Sequence, residues 1–105
     1  LKDMINVGGF KVFPSVLEKL LLEHPAVKEA LVIGVPDPYL GERPRAYVTL
    51  AEGVAPVTGE DLIAWLKPHI GKHERIESVV IRQALPKTPI GKLDRKALRA
   101  EVLGD

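Results

Sequence analysis

The chain has no cysteine, and that one lack removes disulfides, thiolate metal ligands and cysteine nucleophiles together. It fits a reducing interior, and the expected location is the cytoplasm. There is no apolar run near the roughly 18 residues a spanning helix needs, and no charged start followed by an apolar core and a small-residue cleavage site, so neither a transmembrane segment nor a signal peptide is expected. Nor is there an excess of charge of one sign: 15 Lys and Arg stand against 14 Asp and Glu, for a net charge of +1. No global field draws the chain to nucleic acid or to an anionic membrane, and any basic patch must be local. Length is short as well. A chain of 105 residues makes one domain and buries roughly 60 to 68% of the surface its unfolded form exposes, which leaves little room for a self-contained multi-substrate active site.

Glycine and proline, by contrast, are plentiful at nine each, and they cut the sequence into short segments of alternating strand-like and helix-like period. Met4 to Val7 and Phe10 to Phe13 flank Gly8-Gly9, which reads as a tight hairpin. A helix should follow at once: Pro14 suits its start, Ser15 and Glu18 have capping-box spacing, and Val16, Leu17, Leu20 and Leu21 share one face until His24-Pro25. Val27 to Val35 and Arg45 to Leu50 look like paired core strands, the second alternating Ala46, Val48 and Leu50 inward against Arg45, Tyr47 and Thr49. Thr58 is a plausible cap for a helix with Glu60 and Asp61 in its first turn, ending at Pro68. A third strand fits Ile76 to Arg82, a Pro- and Gly-rich loop spans Leu85 to Lys92, and Asp94 can cap a last helix. The predicted fold is α+β: an N-terminal hairpin, then a small, mainly antiparallel three-stranded sheet with about three helices. Its predicted core is Leu17, Leu20, Leu21, Leu31, Ile33, Val48, Leu62, Leu66, Val79 and Ile81.

Catalytic constellations are scarce. His69 and His73 sit four apart, but Pro68 and Gly71 argue against a helix there and no third ligand is near, so no metal site is expected. Glu42, Glu74 and Glu77 read as surface charges rather than a general acid and base pair. Ile90-Gly91-Lys92 invites a phosphate-loop reading, but Pro86 stands where the loop needs a glycine and Leu93 where it needs Ser or Thr. From Lys87 to Arg99 there are five basic residues, Lys87, Lys92, Arg95, Lys96 and Arg99, against the single acid Asp94. A solvated helix face, an anion site and a nucleic-acid contact are all open for this segment, the last weakened by the lack of aromatics for stacking. Gly8-Gly9 has two readings also: a turn that needs positive φ, or a place where a ligand chain runs close along the backbone.

Two segments together carry a resemblance. Lys2-Asp3-Met4-Ile5-Asn6-Val7-Gly8-Gly9-Phe10-Lys11-Val12-Phe13-Pro14 and Pro86-Lys87-Thr88-Pro89-Ile90-Gly91-Lys92-Leu93-Asp94-Arg95 resemble the two signature motifs of the C-terminal domain of adenylate-forming enzymes, and Val32 to Asp37 and Gly41-Glu42 between them look alike too. That superfamily includes acyl-CoA synthetases, peptide-synthetase adenylation domains and luciferases. The chain departs from the pattern at Val16, where relatives commonly have glutamate, and at Gly71 and Glu74, which replace a usual Tyr and Pro. The Gly-Arg that usually precedes the first motif is missing, so residues 1–105 read as a mobile lid domain cut at its hinge, with a large N-terminal domain as partner.

The resemblance implies a two-step reaction in which a carboxylate attacks ATP to give an acyl-adenylate and pyrophosphate, and a thiol then displaces AMP. By position, Lys92 matches the lysine that serves adenylation, placing a cation against developing charge. Gly8 and Gly9 match the hairpin that lines the pantetheine channel, and Lys11 sits where relatives often have a basic or polar residue facing nucleotide. Lys2, with Asp3 beside it, falls at the hinge. The implied substrates are ATP, CoA and a carboxylic acid, a fatty acid being favoured, with magnesium expected through the large domain. The fragment alone is expected to be inactive. Alternatives are a peptide-synthetase adenylation domain acting with a carrier protein, or a non-catalytic anion- or partner-binding module.

Overall fold

The computed structural model describes residues 3–104 of the chain. Its first turn is made by Gly8 and Gly9, whose φ angles of 57° and 92° lie where a side chain would be strained and where the twist of a two-residue hairpin demands them. Strands β1 (Ile5–Val7) and β2 (Phe10–Val12) thereby pair with Ile5 opposite Val12 and Val7 opposite Phe10. The Asn6 side-chain carbonyl accepts the Gly9 N–H at 3.0 Å, closing the turn.

Helix α1 (Pro14–Leu22) begins directly after β2, with proline in its first turn and Phe13 at the cap. The expected Ser15–Glu18 capping box does not form, because Pro14 with its fixed φ starts the helix and leaves Ser15 inside the first turn. Strands β3 (Val27–Asp37) and β4 (Gly41–Leu50) form a long antiparallel pair running from Val27 opposite Leu50 to Asp37 opposite Gly41. Asp37 Oδ1 accepts the N–H groups of Tyr39 and Leu40, both at 2.9 Å, and so shapes the turn between them. Helix α2 (Gly59–Leu66) carries the predicted cap: Thr58 Oγ1 accepts from Asp61 N at 3.0 Å while Asp61 accepts from Thr58 N at 2.9 Å. Two short 3-10 turns, Lys67–His69 and Lys72–Glu74, lead to β5 (Val79–Ile81). Helix α3 (Arg95–Leu103) ends the fold, capped by Asp94, which accepts from Ala97 N at 3.0 Å.

The strands make one sheet in the order β2-β1-β4-β3, with β5 parallel to β4 along the latter's other edge. The α+β architecture stands, and the hairpin joins its sheet through Val7 opposite Gly41. Both faces of β3 and β4 are covered, which the alternation did not anticipate. One cluster holds Leu17, Leu21, Val32, Val48, Leu62 and Leu66; the other holds Leu31, Ile33, Tyr47, Leu85 and Leu98 beneath α3. Tyr47 and Thr49, expected outward, are therefore buried, the pattern of strands sandwiched between helices. Of the predicted core, Leu20 is only half-buried at the cluster's margin. Ile81 is a miss at 38% exposed. Helix α2 starts against Val79, and Ile81 lies past that cover, in an open depression with Leu50, Arg82 and Gln83.

Among the described residues the outer edge of β3 has no strand neighbour, and side chains pair with part of it. Glu18 Oε2 accepts Val32 N–H at 2.8 Å, Arg95 Nε donates to Val32 O at 3.2 Å, and an Arg99 amino group donates to Gly34 O at 3.1 Å. At Val32 and Gly34 these contacts occupy backbone groups that an edge strand otherwise offers to a second chain.

Candidate functional site

Lys92 sits on a small closed loop. Thr88 N–H donates to Lys92 O at 2.7 Å, Gly91 N–H to Thr88 O at 2.9 Å, and Lys92 N–H to Thr88 Oγ1 at 3.2 Å. Below them Lys87 pairs with Leu93, and Asp94 N–H donates to Pro86 O at 2.9 Å. Gly91 takes a φ of 87°, a left-handed position that lets so short a loop turn. Ile90 at the tip is 78% exposed. Among the described residues the Lys92 ammonium has no carboxylate or carbonyl partner, and the side chain is exposed. The loop thus presents a cation to whatever lies outside the domain.

Three of the other basic residues of the segment are not equivalent to it, while Lys96 is exposed on helix α3. Lys87 Nζ lies 2.9 Å from Glu29 Oε2. That contact first, and the Thr49 hydroxyl second, hold the Glu29 carboxyl below the usual carboxylate range against the opposing effect of burial. Arg95 spreads its fork over several acceptors: both Glu18 oxygens at 2.7 Å, Asp3 Oδ2 at 2.6 Å and the Val32 carbonyl. Burial works against its charge, but the Glu18 and Asp3 carboxylates outweigh burial and raise its pKa. With its side chain only 23% exposed and Glu18 13%, this is an internal clamp joining α3, α1 and β3. Arg99 likewise serves β3. Of the five cations read as one patch, three are committed to the fold, so neither a solvated face nor a single anion site describes the segment.

The hairpin borders a different feature. An open groove of about 450 Å³ is lined by Val7, Gly8, Phe10, Leu40, Arg43, Lys72, His73 and Arg75. Phe10 and His73 stack with ring centres 4.6 Å apart and planes 16° from parallel, tying β2 to the second 3-10 turn. The groove therefore has an apolar floor and a rim of three cations. The segment 68–76, where the chain departs from the family pattern, forms one wall; Gly71 N–H donates to Glu74 Oε1 at 2.8 Å, and Ile76 beyond it is buried. Among the described residues there is no group of three or more His, Asp or Glu able to hold a metal. His69 packs on Trp65 and His73 on Phe10, two separate places.

The predicted site residues thus fall in two regions. Gly8 lines the groove and Gly9 forms the exposed turn beside it, with no atom within 4 Å of where its Cβ would be. Lys11 is exposed on β2 opposite Asn6 and does not line the groove. Lys92 is on its own loop, and no residue from 87–99 reaches the groove. Asp3 is brought to Arg95, three residues past Lys92, while Lys2 lies outside the described residues. Sequence reasoning missed Glu18, Arg43 and Arg75. Glu18 was masked by its capping-box spacing, and the two arginines are brought together only by tertiary structure.

Comparison with known proteins identifies the family and the fold. Residues 16–92 match the family described as the AMP-binding enzyme C-terminal domain. The 4-coumarate–CoA ligase 1 of Glycine max is 37% identical over 102 residues, which cover 97% of this chain and 35% of that protein. A long-chain-fatty-acid–CoA ligase of Bacillus subtilis is 38% identical over 100 residues, covering 95% of this chain and 18% of that one. Among solved structures, an acyl-CoA synthetase of Brucella canis superposes with a TM-score of 0.85 at 39% identity, over 97% of this chain and 19% of its own. The chain therefore spans about a third of the first relative and under a fifth of the other two. Two motifs at their places in one α+β fold, with a match across most of the length, mean that this chain belongs to the AMP-binding enzyme C-terminal domain family.

Proposed function

We propose that this domain is the mobile lid of an ATP-dependent acid–thiol ligase and serves its two half-reactions with two different surfaces. In the first, a carboxylate oxygen attacks the α-phosphorus of ATP, the bond to the bridging oxygen breaks, and pyrophosphate leaves. Negative charge concentrates on the phosphate oxygens, and the unpartnered Lys92 ammonium is the group assigned to offset it. A compact charge on a flexible stem suits delivery from a loop. In the second, a thiol attacks the acyl carbon and AMP departs, with the Gly8-Gly9 turn beside the thiol's path. The absence of a side chain at either glycine lets an extended arm run close to the backbone.

The single observation that carries the reading is the contrast within one segment: Lys87, Arg95 and Arg99 have partners inside the domain, whereas Lys92 has none among the described residues. CoA is the favoured thiol, because the groove beside the turn offers Arg43, Lys72 and Arg75 to the phosphates of its nucleotide end. Asp3 and Lys2 are assigned to the hinge, and Lys11 to the nucleotide side. Magnesium, which would accompany ATP, is assigned to the large domain together with the acyl pocket. A fatty acid is the proposed substrate and the cytoplasm the proposed location; for the residues described, no helix is long and apolar enough to cross a membrane.

The test is carboxylate-dependent ATP–pyrophosphate exchange by the full-length parent chain, followed by thioester formation, with aliphatic and hydroxycinnamic acids compared. Exchange and CoA thioester with aliphatic acids are expected. Exchange without any CoA thioester, rescued by a carrier protein, would move the assignment to an adenylation domain, and no exchange with any acid would end it.

A further inference from the structure

We propose that Glu18 and Glu29 are positioning residues for Lys92, each fixing one limb of its loop to the domain body; this rests on the reading of Lys92 given above. The hydrogen bonds of residues 86–94 close the loop on itself but do not orient it. Leu93 packs against the second apolar cluster, a non-directional contact that sets depth and leaves rotation free. Direction comes from the two ends. On the incoming limb Lys87 is held at 2.9 Å by Glu29 of β3, whose other oxygen accepts the Thr49 hydroxyl at 3.0 Å. On the outgoing limb Arg95 is held by both oxygens of Glu18 of α1, and Glu18 is itself fixed by the Val32 N–H at 2.8 Å.

Each tie is directional for a different reason. The Arg95 fork meets a carboxylate and a backbone carbonyl at once, a geometry that a point charge cannot reproduce. Glu29 is pinned through one oxygen by the Thr49 hydroxyl and meets Lys87 with the other. The tip bearing Ile90 and Lys92 projects into solvent, so a small rotation at the base is magnified at the ammonium. Misplacement of a reacting group by about 1 Å can cost on the order of 100-fold in rate. Among the described residues neither Glu18 nor Glu29 has a hydrogen bond to the Gly8-Gly9 turn, and the 2.6 Å contact of Arg95 with Asp3, at the hinge, does not depend on either carboxylate, so their loss should be felt mainly in one half-reaction.

The experiment uses the full-length parent chain and its Glu18→Gln, Glu29→Gln and Lys92→Ala variants, with melting temperature measured for each. Glu18→Gln should lower pyrophosphate exchange roughly 10- to 100-fold, and Glu29→Gln, whose lysine partner is more exposed, roughly 3- to 10-fold. Transfer from a supplied acyl-adenylate to CoA should stay within about 3-fold of wild type in both, a split that mere destabilisation does not produce. If Lys92→Ala abolishes exchange while both glutamine variants stay within about 2-fold, the tether is overturned and the reading of Lys92 survives. If Lys92→Ala leaves exchange intact, that reading itself is wrong. Should Glu18→Gln fail to fold, Glu29→Gln decides: equal loss of both half-reactions at a wild-type melting temperature overturns the proposal.

Discussion

Replacement of Gly9 separates what the hairpin does for folding from what it does for chemistry. Its φ of 92° costs any residue with a Cβ roughly 1–2 kcal/mol. A Cβ built there meets nothing within 4 Å, so no steric cost within the domain is added. For a domain near 100 residues each 1 kcal/mol shifts the melting temperature by about 4–8 °C. Gly9→Ala and Gly9→Phe should therefore lose stability by the same modest amount, because the backbone alone carries the penalty and the larger ring points into open space. Their activities should differ sharply. If the turn lines the thiol's path, Gly9→Phe in the parent chain should slow transfer from a supplied acyl-adenylate by roughly 100-fold, about 2.7 kcal/mol in the barrier, with Gly9→Ala intermediate. Pyrophosphate exchange should stay within about 3-fold of wild type in both. Melting curves and the two half-reaction rates decide the matter. Transfer unaffected by phenylalanine, or both half-reactions falling equally, would refute the reasoning.

Two further outcomes follow from the fold. A Cβ at Gly59 would lie 2.1 Å from the Val79 carbonyl oxygen and 3.1 Å from its carbon, backbone against backbone with no flexible end to yield. Gly59→Ala should therefore cost about 3 kcal/mol or more and abolish cooperative melting or lower its midpoint steeply, despite the gain in helix propensity; a midpoint unchanged from wild type would contradict the contact. Stability should also fall in acid. Glu29, Asp37, Asp61 and Glu77 all have lowered pKa values, caused chiefly by Lys87, by the Leu40 N–H, by the Thr58 N–H and by Arg45 respectively. A carboxyl depressed in the folded state contributes stability above its unfolded pKa and loses it as pH falls through the folded value. The melting temperature should thus decline below about pH 4.5, where unfolded carboxyls begin to take up protons. A flat or rising profile there would count against these contacts.

The local signals that were legible in the sequence are those whose cause is local. Gly8-Gly9 between two short apolar runs marks a hairpin turn, Thr58 with Asp61 and Asp94 with Ala97 cap helices within four residues, and Pro14 starts α1; each is found in place. What was hidden depends on partners far along the chain. Tyr47 and Thr49 read as an outward face until Leu85 and Leu98 return to cover that side of β4. Ile81 reads as core until helix α2 stops short of it. Glu18 meets both tests of a capping box by spacing, yet its carboxylate is drawn 77 residues along the chain to Arg95, where a full charge outbids a backbone N–H. The same blindness made five cations look like one patch. Lys92 could be singled out only through the resemblance; the structure adds the physical contrast with Lys87, Arg95 and Arg99, which are paired within the domain, while Lys96 is exposed on helix α3 rather than on the loop.

The central claim is that Lys92 serves adenylation alone. Its most direct test is Lys92→Ala in the full-length parent chain, measured in both half-reactions under one set of conditions. The side chain is exposed and unpartnered among the described residues, so stability should be unchanged within about 0.5 kcal/mol. Carboxylate-dependent pyrophosphate exchange should be nearly abolished, while transfer of the acyl group from a supplied adenylate to CoA continues at close to the wild-type rate. Equal loss of the two half-reactions, or exchange that persists without the lysine, would contradict the account.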